Sequence, residues 1–385
     1  MPRSIKITRI TVTHYAWEIQ DMGLEEQLGF DTVYRPGVRL PAGGSILTVE
    51  TDAGVKGEVP GGIDARSAQY LLGRNPLERE IIWHDLKRSQ RGRMNCPPGA
   101  VDVALWDLAG KLHQAPIYEL LGGWRMKLPC YASTYHGDEN GGLTRPEDYA
   151  DFALRCKEEL GYPAFKIHGW IGGSIEREAA TVLAVRRAVG EGMALMLDPA
   201  GAFVSFDDVL RVGRACDEAR YFWYEDAFRG GGFSQYAHTK LREFIKTPLL
   251  MGEHIRGLEA KADTIISRST DYVRAGAGED GGITGVMKIG ALAEAHGLDV
   301  ELHGPTLAHR HCMAALRNSN YYELGLVHPK VRYTRAPIYA DPKWLDLLES
   351  VDDQGCVDVP TGPGLGVELD WDFIEKHKTG TTVFE

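Results

Sequence analysis

The spacing of apolar residues predicts two regions with different folds. In the first sixty residues, apolar and polar positions alternate over residues 5–12 and 45–51, which is the pattern of half-buried strands. Helical spacing follows, in a stripe formed by Val101, Leu105, Leu108 and Leu112. The N-terminal part is therefore predicted to combine strands and helices.

Residues 17–44, between the two predicted strands, contain glycines and acidic residues but no clear hydrophobic period. A connection of this length is uncommon in compact domains and often serves as a lid or a binding loop, so we predict a loop here. Three aromatic residues lie in it, Trp17, Phe30 and Tyr34. Each could close over a substrate, a role that rests on position alone, but packing against the rest of the N-terminal region is the favoured interpretation.

From residue 128 onward, short apolar runs alternate with helical segments. Two helix starts carry capping-box patterns, one at residues 144–147 with a proline in the first turn and one at residues 205–208. The candidate strands are residues 130–132, 164–168, 194–198, 222–225, 248–251, 272–274 and 300–303. Seven alternations at a spacing of roughly 25 residues suit either a parallel βα barrel or a doubly wound sheet.

Titratable residues lie at the ends of most of these apolar runs. The set comprises Lys166, His168, Asp198, Glu225, Glu253 and His303. A single acid after a strand is more often a helix N-cap or a surface charge. Several in succession are different, because the carboxyl ends of the strands form the face of a βα barrel that carries the active site. The pattern therefore favours one site built from strand ends.

Three of these residues are carboxylates at a regular spacing. Asp198, Glu225 and Glu253 are 27 and 28 residues apart, which is about one βα unit each. Neighbouring barrel strands would then present three carboxylates to one point, and such groups repel each other unless a cation lies between them. Oxygen ligands without cysteine or a histidine triad favour Mg²⁺ over zinc, so we predict one Mg²⁺ per active site.

Basic groups flank the predicted metal site. Lys166 and His168 are two positions apart on one strand, so their side chains point to the same face. His303 comes from a strand on the far side of a barrel. A metal ion between opposed bases suits removal of the proton next to a carboxylate, because the metal stabilises the enolate oxygens while a base takes the proton.

Composition narrows the class of protein. Hydrophobic residues make up 43% and charged residues 25% of the chain, which is ordinary globular usage. The net charge of −11 argues against a surface for nucleic acid or for an anionic membrane. No apolar run approaches the length of a membrane span, and the first residues carry no signal-peptide core. With six scattered cysteines and no Cys-x-x-Cys pair, we expect a reduced, cytoplasmic protein.

These residues together resemble the enolase superfamily, in its mandelate racemase-like group. Residues 99–111 (Gly-Ala-Val-Asp-Val-Ala-Leu-Trp-Asp-Leu-Ala-Gly-Lys) are similar to a stretch of the family's capping domain. The matching barrel positions are Lys166 and His168 (the Lys-x-Lys motif), Asp198, Glu225 and Glu253 (metal ligands), residues 281–285 (Gly-Gly-x-Thr), His303 (the base on strand seven) and Glu323 (the acid on strand eight that contacts the substrate carboxylate).

The resemblance implies a fold and a set of partners. The expected fold is α/β, a modified (β/α)7β barrel of the TIM type over residues 127–339, with an α+β capping domain. Residues 1–126 would form that domain, and residues 340–385 would pack back on it. The family also implies Mg²⁺, a small carboxylate substrate and a homo-oligomeric assembly, with no nucleic acid or membrane partner.

Two positions depart from the family pattern. The second lysine of Lys-x-Lys is His168, and histidine is a base of lower intrinsic pKa with two distinct nitrogens. The aspartate that usually orients the histidine on strand seven should fall at position 276, where this chain has Gly276. Without that carboxylate nothing evident raises the pKa of His303 or fixes its tautomer, so we expect it to serve better as an acid. Glu279 and Asp280 are close in sequence, but the sequence does not show whether either reaches His303.

Other aromatic and histidine residues have two interpretations each. Tyr135 and His136 follow the first barrel strand and could contact substrate. His254, beside Glu253, could line the pocket or pack elsewhere. For His309 and His311 packing is the favoured interpretation.

Residues 276–281 spell Gly-x-Gly-x-x-Gly between a strand and a helix, which by itself would suggest a dinucleotide site. The strand before this segment is short. Asp299 would open the next strand, whereas a ribose-binding acid should end it. We therefore do not favour a dinucleotide site.

The leading hypothesis is an Mg²⁺-dependent enzyme that removes the α-proton of a carboxylate, most simply dehydrating a sugar acid to a 2-keto-3-deoxy acid. Lys166 and His168 would be the electrostatic partner and the base, and His303 would lie opposite as acid or base. Glu323 would bond to the substrate carboxylate. Dehydration is favoured because it needs one base and one acid. The alternatives are a racemase or epimerase, and a catalytically silent metal-binding barrel.

Overall fold

The structure, a computed structural model, describes residues 5–26, 29, 31–91, 96–230 and 232–385. Phe30, one of the three aromatic residues noted above, lies outside the described residues. The strands are β1 (Ile7–Tyr15), β2 (Glu18–Leu24), β3 (Thr32–Pro41), β4 (Gly44–Thr51), β5 (Lys56–Pro60), β6 (Lys127–Thr134), β7 (Ala164–His168), β8 (Ala194–Asp198), β9 (Trp223–Glu225), β10 (Leu249–Met251), β11 (Tyr272–Ala275), β12 (Asp299–Leu302), β13 (Tyr322–Val327), β14 (Cys356–Asp358) and β15 (Lys378–Phe384).

The helices are α1 (Ala65–Leu71), α2 (Arg79–Ser89), α3 (Gly99–His113), α4 (Ile117–Leu120), α5 (Pro146–Glu158), α6 (Ile175–Val189), α7 (Phe206–Glu218), α8 (Gln235–Leu241), α9 (Leu258–Ile266), α10 (Gly282–Ala295), α11 (Leu307–Ala315) and α12 (Trp371–Lys376). Two short 3₁₀ helices cover Gly190–Gly192 and Pro342–Trp344. No helix among the described residues is long and apolar enough to cross a membrane.

The cap is built on a four-stranded antiparallel sheet with the strand order β15-β1-β4-β5. The alternation predicted for the first strand buries Ile7, Ile10 and Val12. Val101, Leu105 and Leu108 of the predicted helical stripe are buried on α3 in the same core cluster. The last strand of the chain therefore completes a sheet that the first strand begins. The domain boundaries given above stay predictions.

Within residues 17–44, the described residues include two paired strands, so the prediction of a loop was wrong. Strands β2 and β3 pair antiparallel, with a register shift between Gln20 and Met22. Asp21, at that shift, has a φ of 57°. Opposite Asp21, β3 has four residues, 35–38, and these extra residues break the period-two pattern, so the sequence shows no continuous alternation there.

Eight parallel strands form the barrel, in the order β12-β11-β10-β9-β8-β7-β6-β13. Side chains bridge the remaining seam between β12 and β13. The Glu301 carboxylate accepts a hydrogen bond from Asn320 Nδ2 at 2.6 Å, and Gly304 N donates to Glu323 Oε2 at 2.7 Å. Seven helices, α5 to α11, lie between successive strands. The (β/α)7β barrel is confirmed, and the doubly wound sheet is excluded.

The capping box at Ser205 and Asp208 is confirmed at the start of α7. The other box begins one residue later than predicted, since Arg145 is the N-cap and its N–H donates to Asp148 Oδ2 at 2.8 Å. Both boxes satisfy N–H groups that the first turn of a helix leaves free. They fix where these helices leave the loops above the barrel.

Large side chains fill the lower part of the barrel. Tyr131, Met196, Trp223 and Leu250 are buried there in one cluster. Trp223 and Glu225 are two apart on β9 and so point to the same side, and Trp223 Nε1 donates to Glu225 Oε2 at 3.1 Å. The apolar filling therefore forms the floor beneath the carboxylates at the strand ends.

Candidate active site

The structure brings the predicted strand-end residues together at the carboxyl end of the barrel. His168, Asp198 and Glu225 are the last residues of β7, β8 and β9. Glu253 follows β10 by two residues, and His303 follows β12 directly. The parallel arrangement of the strands places all of these ends on one face, the one on which βα barrels carry their active sites.

The three carboxylates form a compact group. One oxygen from each of Asp198, Glu225 and Glu253 lies within 4.8 Å of the others. Asp198 and Glu225 are buried and Glu253 is half-buried. Hard oxygen donors at this separation are what Mg²⁺ requires from a protein, so the residues present fit that ion. In the described part of the chain this is the one such cluster of histidine, cysteine and acidic side chains.

Lys166 lies at the centre of the carboxylates. Its Nζ is 3.3 Å from Asp198 Oδ2, 3.1 Å from Glu225 Oε2 and 3.0 Å from Glu323 Oε1. Burial lowers the pKa of Lys166, but Glu225 and Glu323 outweigh burial and hold that pKa well above its usual value. A permanently protonated lysine donates hydrogen bonds and cannot take a proton.

Lys166 also controls the ionisation of Asp198. Burial raises the pKa of Asp198, but Lys166 and His168 outweigh burial and hold that pKa well below its ordinary range. Burial raises the pKa of Glu225 in spite of Arg274 and Lys166. The two buried carboxylates therefore differ in how readily they lose a proton, and a divalent cation would favour the ionised form of both.

His168 is held by the backbone of the first barrel strand. Its Nδ1 is 2.7 Å from Thr134 O, and a ring nitrogen facing a carbonyl must donate. Its Nε2 lies 3.1 Å from Asp198 Oδ2 and faces the site. His136 packs edge-on against His168 with ring centroids 5.2 Å apart. Burial, and then the neighbouring His168, lower the pKa of His136 to about 4, so it is neutral.

His303 has a carboxylate near each ring nitrogen, contrary to expectation. Its Nε2 is 3.3 Å from Glu253 Oε1, and its Nδ1 is 3.8 Å from Glu279 Oε1. Burial lowers the pKa of His303, but Glu279 and then Glu253 outweigh burial and raise it to about 9. Gly276 therefore does not leave the histidine without a carboxylate. A cation bound by Glu253 would remove the second of these two contributions.

Both oxygens of Glu323 already have partners within the protein. Its Oε1 contacts Lys166, and its Oε2 accepts from Arg274 Nη2 at 2.9 Å and from Gly304 N. Burial raises the pKa of Glu323, but Lys166, Arg274 and His303 outweigh burial and hold that pKa well below its ordinary value. Glu323 is thus held in place from three sides, and its contact with a substrate carboxylate stays a prediction.

Arg274 is a site residue that the sequence did not reveal. It lies on β11, fully buried, with Nε 2.9 Å from Glu225 Oε1 and Nη2 2.9 Å from Glu323 Oε2. It therefore holds a metal-site carboxylate and the strand-eight acid in one arrangement. The available signal was an arginine in a short apolar strand, two positions after Tyr272 and so on the inward-facing side.

The candidate substrate-contacting residues fall into two groups. Trp17 and Tyr34 lie within residues 17–44, in a cluster that also includes Tyr135. Tyr34 stacks on His328 with ring centroids 4.9 Å apart. These contacts support packing of β2 and β3 on the barrel. His254 is the most exposed of the set, and its Nε2 lies 3.6 Å from Glu253 Oε1.

A cavity of about 680 Å³ lies between the cap and the barrel. Its lining includes Gly61 and Pro98 from the cap and Gly278 and Pro305 from the barrel loops. Gly278 directly precedes Glu279, and Pro305 follows the glycine that donates to Glu323. The cavity is of the size that holds a small molecule and borders loops that carry site residues.

His309 and His311 are both buried, and each contacts backbone. His309 Nδ1 is 2.7 Å from Gly304 O, and its Nε2 accepts from Ala277 N at 2.8 Å. His311 Nδ1 accepts from Tyr118 N, and its Nε2 faces Leu365 O. Packing, the favoured interpretation of these two residues, agrees with the structure.

Two family models match the chain. The model for the mandelate racemase / muconate lactonizing enzyme N-terminal domain matches residues 42–122, and the model for the enolase C-terminal domain-like family matches residues 148–373. The second match alone covers more than half of the chain. The two matches correspond to the cap and to the barrel with the segment that follows it.

Individual relatives agree with these models. D-gluconate dehydratase of Thermoproteus tenax is 26% identical over 331 residues, which are 81% of this chain and 63% of that protein. D-galactarolactone cycloisomerase of Agrobacterium fabrum is 27% identical over 320 residues, covering 80% of this chain and 82% of that protein. Further curated relatives of similar identity also carry dehydratase names.

A solved structure of similar fold is D-glucarate dehydratase from Agrobacterium tumefaciens complexed with magnesium. It is 29% identical, with a TM-score of 0.83 over 97% of this chain and 99% of that chain. The relatives named as dehydratases are lyases, and the enzyme class of this chain is that of the lyases. With two family models and a matching fold, the chain belongs to the enolase superfamily, in its mandelate racemase-like group.

Proposed function

We propose that the protein is an Mg²⁺-dependent dehydratase that converts a sugar acid into a 2-keto-3-deoxy acid. One observation carries the proposal, the placement of two imidazoles against opposite carboxylates of one metal-type cluster. His168 Nε2 faces Asp198 at 3.1 Å, and His303 Nε2 faces Glu253 at 3.3 Å. A substrate bound between these histidines has one proton acceptor and one proton donor within reach, as elimination of water requires.

Asp198, Glu225 and Glu253 would hold the magnesium ion. Bound there, the ion supplies positive charge beside the oxygens of a substrate carboxylate. The Lys166 ammonium group adds a second positive charge on the same side. Together these charges stabilise the enolate that forms when the α-proton leaves.

His168 is the proposed base. The Thr134 carbonyl holds the proton on Nδ1, so Nε2 is the nitrogen that faces the site. With a cation on Asp198, Nε2 would give up its contact with that carboxylate, and its lone pair would take the proton from the α-carbon. The Lys166 ammonium group, beside the carboxylates of the cluster, is the electrostatic partner of the base. Glu323 in turn positions Lys166 and Arg274.

His303 is the proposed acid. As the bond between the β-carbon and its hydroxyl breaks, Nε2 of protonated His303 gives a proton to the departing oxygen, and water leaves. The electron pair of the α-carbon–hydrogen bond becomes the new carbon–carbon double bond. The resulting enol then rearranges to the 2-keto-3-deoxy acid, so one proton is taken, one is given and one water is released.

A library of sugar acids, incubated with the purified protein and Mg²⁺ and assayed for 2-keto acids, tests the proposal. We expect product from at least one acid and none after exhaustive treatment with EDTA. Glu294→Ala, on the outer surface of α10, is the matched control and should turn over normally. Turnover that persists at full rate without divalent metal, or no product from any acid, would refute the proposal.

Racemisation or epimerisation is the second candidate, because the same opposed histidines can exchange a proton with either face of the α-carbon. In D₂O such an enzyme would place deuterium on the α-carbon of both epimers and form no keto acid. Formation of keto acid, with deuterium found in that product and not in the remaining substrate, would favour dehydration.

A further inference from the structure

The loop after β11 folds Glu279 back over Gly276. Asp280 N donates to Gly276 O at 2.8 Å, and Gly276 N donates to Asp280 Oδ2 at 3.0 Å. These two bonds close a tight turn over residues 276–280. The Glu279 side chain consequently lies above the backbone of residue 276, where it is half-buried.

The carboxylate of Glu279 fills the space that a side chain at position 276 would use. A Cβ atom added to Gly276 would lie 2.1 Å from Glu279 Oε2 and 3.8 Å from the Cβ of His303. Atoms of this kind cannot approach so closely. A side chain at 276 and the present position of Glu279 therefore exclude each other, and glycine at 276 makes room for the carboxylate.

His303 presents a buried ring nitrogen to this carboxylate. Within the described residues its Nδ1 has no hydrogen-bond partner, and Glu279 Oε1 is 3.8 Å away. A buried N–H without a partner costs free energy, and a small movement of the carboxylate would bring the two atoms to bonding distance. The partner of one ring nitrogen decides which nitrogen carries the proton, and so what the other can do.

Hydrogen bonds of His309 link the loop that carries Glu279 to the backbone next to His303. His309 accepts from Ala277 N through Nε2, so its Nδ1 carries the proton and donates to Gly304 O. Ala277 lies in the loop that carries Glu279, and Gly304 directly follows His303. From the cap, the Cys96 thiol donates to Glu279 O at 2.9 Å. These bonds fix the height of Glu279 relative to the imidazole.

We propose that Glu279 is the positioning residue of His303. Although Glu279 is three residues further along the chain, its carboxylate occupies the space that a side chain at position 276 would fill. Its carboxylate holds the proton on Nδ1 and turns Nε2 towards the substrate. The inference rests on the proposed function for the catalytic use of His303. The orientation of the ring can be tested without any substrate.

Activity measurements on four variants test whether Glu279 and a side chain at position 276 occupy the same space. Glu279→Ala should lower kcat at least ~10-fold with little change in KM, as loss of a supporting carboxylate typically does. Gly276→Asp alone should also lose activity, because two carboxylates then compete for one space. Gly276→Asp combined with Glu279→Ala should recover most of the wild-type rate. Glu294→Ala is the control for removing an acidic side chain.

Two activity results would overturn the proposal. One is a Glu279→Ala enzyme with the wild-type kcat. The other is a folded double variant, shown by an unchanged circular-dichroism spectrum and melting temperature, that is no faster than Glu279→Ala.

The tautomer of His303 provides the second measurement. In ¹⁵N-histidine-labelled protein with Mg²⁺, the His303 signals are assigned by their loss in His303→Asn. Above the pKa of His303, where the ring is neutral and carries one proton, we expect that proton on Nδ1 in the wild-type protein and in the double variant, and a changed tautomer ratio in Glu279→Ala. The same ratio in all of them would refute the role of Glu279. Because no substrate is present, this result is independent of whether any sugar acid is turned over.

Discussion

The Lys166 ammonium group is 3.0 Å from Glu323 Oε1, at a depth where neither side chain reaches solvent. Around this pair the site holds two permanent cations, Lys166 and Arg274, against four carboxylates, which are Asp198, Glu225, Glu253 and Glu323. Two negative charges remain, and one divalent cation neutralises them. The charge balance of the site therefore supports the proposed magnesium ion independently of the spacing of its ligands.

Lys166→Met should destabilise the protein in the absence of metal. The four carboxylates would then face Arg274 as the only permanent cation of the site, and breaking a buried ion pair from one side typically costs about 3–5 kcal/mol. Mg²⁺ should restore part of the lost stability, so the rise in melting temperature on adding Mg²⁺ should be larger in the variant than in the wild-type protein. A melting temperature in EDTA equal to that of the wild type would contradict this account.

Asp198→Asn should remove metal binding while leaving the fold intact. The change keeps the size of the side chain but removes one of the three charges that bind the ion, at a strand end above the apolar floor. We expect no turnover and no rise in melting temperature on adding Mg²⁺. Glu294→Gln, with the same chemical change on the surface of α10, should respond to Mg²⁺ like the wild type. An Asp198→Asn enzyme with normal turnover would rule out this residue as a ligand.

His303→Asn should separate the two halves of the reaction. If His168 removes the α-proton, the variant should still exchange that proton with D₂O while forming no keto acid. Deuterium in recovered substrate, measured by mass spectrometry, reports the first half. Loss of both exchange and turnover would instead make His303 the abstracting base.

Glu178, on α6, should make the stability of the protein depend on pH. Its carboxylate accepts from Trp170 N at 2.7 Å, two residues after His168. Burial raises the pKa of Glu178 from 4.5 to about 7, although Trp170 and Arg177 oppose the shift. The folded protein thus binds this proton more tightly than the unfolded chain. Ionising the buried carboxylate therefore lowers the free energy of unfolding. This loss of stability is absent below pH 4.5, grows as the pH rises and is complete above pH 7, where it is on the order of 3 kcal/mol.

Glu178→Gln cannot ionise and should escape this cost. Relative to the wild type, its melting temperature should therefore rise between pH 5 and pH 8. Glu176→Gln, on the same helix but exposed, is the control and should show no such trend. A difference between wild type and Glu178→Gln that stays constant with pH would show that Glu178 titrates normally.

The barrel and the cluster of carboxylates at its strand ends could be predicted because both depend on local patterns. An apolar run followed by Asp198, Glu225 or His303 fixes a strand and the end at which the polar group lies. Predicting that the carboxylates lie close together requires nothing more, because closure of the barrel brings neighbouring strand ends together. The pairing of β2 with β3 escaped prediction, since the extra residues 35–38 opposite Asp21 hide the alternation.

Arg274 and Glu279 could not be assigned from sequence for a different reason. Arg274 matters through Glu225 and Glu323, whose strands are distant along the chain. Glu279 matters because its loop turns back over Gly276, and a position-by-position comparison with a family pattern records only the missing aspartate. The roles of both residues depend on where their charged groups lie in the folded protein, which their positions along the chain do not reveal.

The pairing of β15 with β1 has a consequence for the order in which the protein is made. On the ribosome β1 is synthesised first, whereas its partner over residues 378–384 emerges after the whole barrel. Until then, one edge of the cap sheet has no strand to pair with, and an unpaired edge can associate with other chains. Translation that stops before β15 should therefore yield a barrel with an open, aggregation-prone cap, and completion of the chain is also the step that protects it.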